Sequence, residues 1–198
     1  MDTELIHPDG DVVLRTTSSE KEEHGRFLVS STFMKNASKV FQVMLSDRYA
    51  EGQALLSTSA TEITIDEETD RTTIRILLKL IHVRHEGLPS RLEAVDLRSL
   101  SNLADKYDCA SVIKPAFGAW MLRARSAAKC DITQQADLMQ AAFLLSERED
   151  FRHWTARLVF EVEGTLGSIM RDAVPVEALC KISRRVLQFD WLRSLQST

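Results

Sequence analysis

Short apolar stretches alternate with polar breaks along this chain, and their spacing changes from strand-like to helical and back. Asp11 to Thr17 and Gly25 to Ser30 carry apolar runs on either side of the polar segment TSSEKEEH. That pattern predicts a hairpin with a long charged tip. From Phe27 to Leu45 the order FLVSSTFMKNASKVFQVML predicts a strand, a short helix, a small-residue break and a second helix. Ser30 or Ser31 can cap the first helix and Ser38 the second, by accepting from free first-turn amides. Phe33, Met34 and Ala37 are the apolar residues of the first. Val40, Phe41, Met44 and Leu45 share one face of the second. Ser46 to Ala60 reads as a polar loop containing Gly52. Thr61-Glu-Ile-Thr-Ile65 alternates strictly, which predicts a third strand with Ile63 and Ile65 inward.

The rest of the pattern is helical. Asp70 can cap a helix running to about Val83, with Ile74, Leu77, Leu78 and Ile81 on one face and Ile76 and Leu80 widening the stripe. A helix with so broad a stripe is expected to be enclosed on two sides. Gly87, Pro89 and Ser90 break the chain. Arg91 to Tyr107 is helical again, with Leu92, Val95, Leu100, Leu103, Ala104 and Tyr107 as its buried stripe. Pro115 predicts a helix start near Val112 or Ile113, where a proline costs little. Phe117, Trp120, Met121 and Leu122 follow, then the basic stretch Arg123 to Lys129. Asp131-Ile-Thr-Gln134 has the form of a capping box ahead of a helix from Thr133 to Ser146. Phe151 to Glu163 is a further helix, ended by Gly164 and Gly167. Pro175 opens a last one, with Leu179, Ile182, Val186 and Leu187 on one face. With no Pro/Gly/Ser linker before it, this tail is expected to pack on what precedes it.

Composition narrows the function classes. The chain has 198 residues, 44% apolar and 27% charged, and a net charge of −4. Those are the proportions of a soluble globular protein, and the acidic balance argues against a nucleic-acid partner. Cys109, Cys130 and Cys180 have no close spacing, which fits reduced thiols inside a cell, in cytoplasm or nucleus. The polar, acidic N-terminus has no signal-peptide form. No apolar run is long enough to span a bilayer.

Motifs for catalysis are weak. No glycine-rich phosphate loop, nucleophile elbow or Cys-x-x-Cys pair occurs. His82 and His85 could seat a metal on one helical face, but no third ligand lies near and a helix C-terminus favours His in any case. The acids Asp66, Glu67, Glu68 and Asp70 lie at a strand-to-helix turn, where capping and solvation account for them. Arg184-Arg185 and Arg123 to Lys129 read as solvated helical faces. Trp120, Trp154 and Trp191 read as core residues, Trp191 less so because it lies near the end. No cofactor or catalytic residue is expected.

The segment from Phe27 to Leu45 resembles the BTB (POZ) family, in which a strand leads into "L-x-x-x-S-x-x-F-x-x-M-L". Asp11-Val-Val-Leu matches the family's first strand. Leu103-Ala-Asp-Lys-Tyr-Asp-Cys109 matches the "LADKY" ending of a family helix. The resemblance covers roughly residues 11 to 129. It implies an α+β fold with a small three-stranded sheet flanked by helices, after a polar lead at 1–10 and before a helical extension at 130–198. It also implies protein–protein interaction without catalysis. Tyr49-Ala50-Glu51 stands where cullin-binding members carry a hydrophobic-x-Glu element. Met44, Leu45, Tyr49 and Glu51 are therefore the expected docking residues, and the expected partner is a cullin ubiquitin-ligase scaffold. The alternative is a transcriptional or chromatin co-regulator that self-associates with another BTB chain. Only about ten residues precede the first strand, and they lack a helical pattern. An N-terminally exchanged homodimer is not expected. Ser30 replaces the family's frequent His, a variant of stand-alone fungal BTB proteins.

Overall fold

The computed structural model describes residues 2–17, 23–57, 61–126 and 130–161. The chain divides into two compact units, 1–126 and 127–198. The first is α+β, a four-stranded mixed sheet followed by helices.

The hairpin forms as its pattern dictates. Strands β2 (Val12–Thr17) and β3 (Glu23–Val29) pair antiparallel, with Leu14 opposite Phe27. The expected charged tip, 18–22, lies outside the described residues. Strand β4 (Thr61–Asp66) runs parallel to β2, with Ile63 opposite Leu14. Val12, Leu14, Phe27, Val29, Ile63 and Ile65 are buried on one face. On the other, Glu62 accepts from Arg15 Nη1 at 3.2 Å and Arg26 Nη2 at 2.6 Å. Alternation in sequence has become one apolar face and one cross-linked charged face.

The sheet has four strands where the pattern predicts three. The extra one, β1 (Glu4–Leu5), comes from the polar lead and pairs parallel with β3, giving the order β1-β3-β2-β4. Two residues are too few to show a period. Tertiary contacts hold them instead: Ile6 N–H donates to the Leu28 carbonyl at 3.0 Å, and Ile6 is buried. Glu4 also meets Arg75 Nε at 2.5 Å and Arg71 Nη2 at 3.4 Å.

Between β3 and β4 lie α1 (Ser31–Ala37), α2 (Lys39–Met44) and α3 (Ala50–Ser57). The third replaces the expected polar loop. Ser38 caps α2 as predicted, accepting from Phe41 N at 3.1 Å. Neither Ser30 nor Ser31 caps α1 through its side chain. Asp11 does so from 20 residues away, accepting from Ser31 N and Ser31 Oγ at 2.6 Å each.

After the sheet come α4 (Arg71–Ile81), α5 (Ala94–Lys106) and α6 (Ala110–Arg125). Asp70 caps α4 through Thr72 N and Thr73 N, and Ile74, Ile76, Leu77, Leu78, Leu80 and Ile81 are all buried. That matches a helix enclosed on two sides. Val95 is exposed, against expectation, and Leu122 is exposed too. Each lies one residue off its helix's stripe, Ala94–Leu97–Leu100–Leu103–Ala104 in α5 and Phe117–Trp120–Met121–Ala124 in α6. Helix α6 starts at Ala110, earlier than Pro115 suggests, so the proline lies inside it. Pro115 and Ser111 are both exposed, so water can bond the carbonyl that Pro115 leaves without a donor.

The second unit contributes α7 (Ile132–Leu144) and α8 (Arg148–Glu161). The capping box is present: Gln134 N donates to Asp131 Oδ1 at 2.8 Å, and Asp131 N to Gln134 Oε1 at 3.1 Å. Trp154 is fully buried. The expected last helix (Leu179, Ile182, Val186, Leu187) lies outside the described residues, as do Gly164, Gly167, Cys180, Arg184, Arg185 and Trp191.

Candidate functional site

Helix α2 is short, and its sequence Lys39-Val-Phe-Gln-Val-Met gives it two apolar rows. Phe41, with Leu45 just beyond the helix, fills the interior row. Val40, Val43 and Met44 form the outward row at i, i+3, i+4 spacing. Val43 is 53% exposed, Val40 exposed and Met44 half-buried.

The inward row is anchored at Tyr107. The Phe41 ring stacks on Tyr107 with centroids 4.8 Å apart and planes 5° from parallel. Ser38 Oγ donates to the Tyr107 carbonyl while capping α2. Tyr107 Oη in turn donates to Glu67 at 3.1 Å. Glu67, just past β4, is buried and also accepts from Lys106 Nζ at 2.7 Å and from Thr69 N and Oγ1. Burial alone would raise its pKa. The bonds from Lys106 and Thr69 and the ammonium charge outweigh that, so the carboxyl sits below its usual range. Burial and the adjacent carboxylate push the Tyr107 phenol well up. Glu67 is thus a fixed anion clamping α5 to the end of β4, with a protonated Tyr107 as its donor.

From Leu45 the chain turns tightly into α3. Ser46 Oγ donates to the Val43 carbonyl at 2.7 Å, and Tyr49 N donates to the Ser46 carbonyl at 3.2 Å. Gly52 sits against this turn. A Cβ there would lie 1.8 Å from the Ser46 carbonyl oxygen, so only glycine permits the approach. The result holds Tyr49 outward, 49% exposed, at the start of α3. Beside it a cavity of about 420 Å³ is bordered by Asp11, Ser31, Lys35, Gln42, Leu45 and Gly52.

Of the four expected docking residues, Tyr49 is exposed, Met44 and Glu51 are half-buried, and Leu45 is 5% exposed. The side chain of Leu45 belongs to the interior. Val40, expected on the same face as Phe41, points outward, and Val43 joins it. The signal for Val43 was in the sequence: an apolar residue on a helix whose inward positions were already filled by Phe41 and Leu45.

Other reactive groups are placed for structure. Cys109 is buried, and burial with the Asp108 charge pushes its thiol up to about 12, far from a nucleophile's range. His85 is exposed, while His82 is buried against backbone. Among the described residues no group of three or more His, Cys, Asp and Glu could hold a metal ion. None of their helices is long and apolar enough to cross a membrane. Trp120 donates to the Pro89 carbonyl at 2.9 Å, a packing role. No protein-family model matches the chain, and no curated protein matches it.

Proposed function

We propose that this chain is a non-catalytic docking module of the BTB type, with the outward face of α2 and the start of α3 as its contact surface. The observation that carries this reading is the second apolar row of α2. Val40 and Val43 stand in solvent one helical turn apart, with Tyr49 opening the next helix. Exposed apolar side chains clustered on one short segment favour a partner over bulk water. Tyr49 adds a large ring with few rotors to freeze, the kind of side chain that anchors interfaces.

Two further observations support the BTB assignment. Ser38, Phe41, Lys106 and Tyr107, residues that carry the resemblance, meet around one another and Glu67. Glu51 stands on α3 two residues from Tyr49, where it can accept bonds from a partner. The partner favoured by this arrangement is a cullin N-terminal domain, with Tyr49 and Glu51 in the hydrophobic-x-Glu role. The protein then acts inside the cell as an assembly subunit, with no reaction of its own.

Size-exclusion chromatography with light scattering, on the chain mixed with a purified cullin N-terminal domain, tests this. A species with the summed mass of one copy of each supports the reading. Independent elution of the two removes the cullin. A doubled mass for the chain alone makes self-association the assembly mode.

A further inference from the structure

The imidazole of His82 is buried, 3% exposed, and both ring nitrogens face backbone groups of opposite kind. Nε2 lies 2.9 Å from the Ser30 N–H, which can only donate. Nδ1 lies 2.7 Å from the Leu78 carbonyl, which can only accept. Together these contacts select the neutral ring with its proton on Nδ1. A second proton on Nε2 would point at the Ser30 N–H and break that contact. Ser30 is the last residue before α1, and Asp11 caps the next residue, Ser31. His82 is the residue that ends α4. One acceptor bond therefore fastens the start of α1 to the end of α4.

We propose that His82 is a proton-operated latch: neutral, it pins the entry of α1, and its protonation releases Ser30 and the first turn of α1. The neighbours resist protonation. His7, from the segment after β1, has its ring 5.7 Å from that of His82, and Phe33 of α1 lies 5.4 Å away. Burial is the largest influence and lowers the pKa of His82. The Leu78 and Ser30 contacts oppose it, and the charges of His7 and Arg84 add to it. The carboxylate of Asp11, beside Ser31, has both oxygens committed to that residue. A ring whose folded pKa lies below the ordinary 6.5 keeps its latch fully stable above that pH. As pH falls below it, the open form gains a proton that the closed form refuses. Opening then rises about tenfold per pH unit until the folded pKa is reached.

Two measurements on the intact chain test the latch. Imidazole nitrogen NMR should find His82 with a bare Nε2 at pH 7, remaining neutral below pH 6.5. Amide exchange should show protection at Ser30 falling severalfold as pH drops from 6.5 to 5.5, relative to amides in the middle of α4. In His82→Gln, whose carboxamide oxygen can accept from Ser30 without titrating, that fall should vanish. His7→Phe should preserve it, which separates the two rings. A His82 that titrates at or above 6.5, or a Ser30 protection independent of pH in the wild type, overturns the proposal even if His82→Gln does not fold.

Discussion

Phe41 and Ser38 show how much one side chain can hold. Phe41 is buried and stacked on Tyr107, so Phe41→Ala should cost about 3–5 kcal/mol, as large core aromatics do. Ser38 combines the cap of α2 with a bond to the Tyr107 carbonyl, both buried. Ser38→Ala should cost about 1–2 kcal/mol, since the cap is lost and a buried acceptor loses its donor. Urea denaturation of both variants checks these values, and a Phe41→Ala midpoint equal to wild type would contradict the packing. At this scale the sequence was informative where a residue acts locally. Ser38, Asp70 and the box at Asp131 and Gln134 all cap the turns beside them. It was silent where the partner is distant. Asp11 caps α1 across 20 residues, and Glu67 meets Lys106 across 39.

Among the elements, α3 departs most from its sequence pattern. AEGQALLS contains a glycine and no clean stripe, so it reads as loop. It is helical because Gly52 lets it close on Ser46, a contact that no local propensity encodes. Gly52→Ala should lower the unfolding midpoint by the equivalent of about 1–3 kcal/mol, the usual cost of forcing a methyl into a packed site. Because α3 carries Glu51 and follows Tyr49, the same substitution should weaken partner binding. Thermal melting and a binding titration on one preparation check both effects. The β1 strand was equally hidden: two residues have no period, and Glu4 acts through Arg71 and Arg75 of α4. Strong periodicity was reliable by contrast. In β4 and α4 nearly every apolar position in the predicted pattern is buried.

For the molecule as a whole, acid should act in two stages. Glu4, Glu67 and Asp70 are each held below their ordinary pKa: burial opposes the shift, and hydrogen bonds, with cationic neighbours at Glu4 and Glu67, outweigh it. A depressed carboxyl contributes stability that is complete above its ordinary value and lost as pH falls through the folded one. That loss begins below about pH 4.5, whereas the His82 effect sets in as pH falls below about 6.5. In urea titrations against pH, Glu67→Gln should reduce the carboxylate stage by its own share and leave the His82 stage, and His82→Gln should remove the His82 stage alone.

The α+β class and most of the helices were legible from hydrophobic spacing, because burial sets that spacing. The proposed docking surface was legible only in part. Tyr49 came from the resemblance to the hydrophobic-x-Glu element and is exposed, whereas Leu45 and Val43 exchange roles once α2 is oriented by Phe41. Calorimetric titration of the chain with a cullin N-terminal domain tests the central claim most directly, comparing wild type with Tyr49→Ala and Val43→Asp. The account predicts saturable binding by the wild type, weakened by about 2 kcal/mol or more in each variant, with unchanged circular dichroism. Wild-type heat indistinguishable from dilution, or binding undiminished in both folded variants, would contradict it.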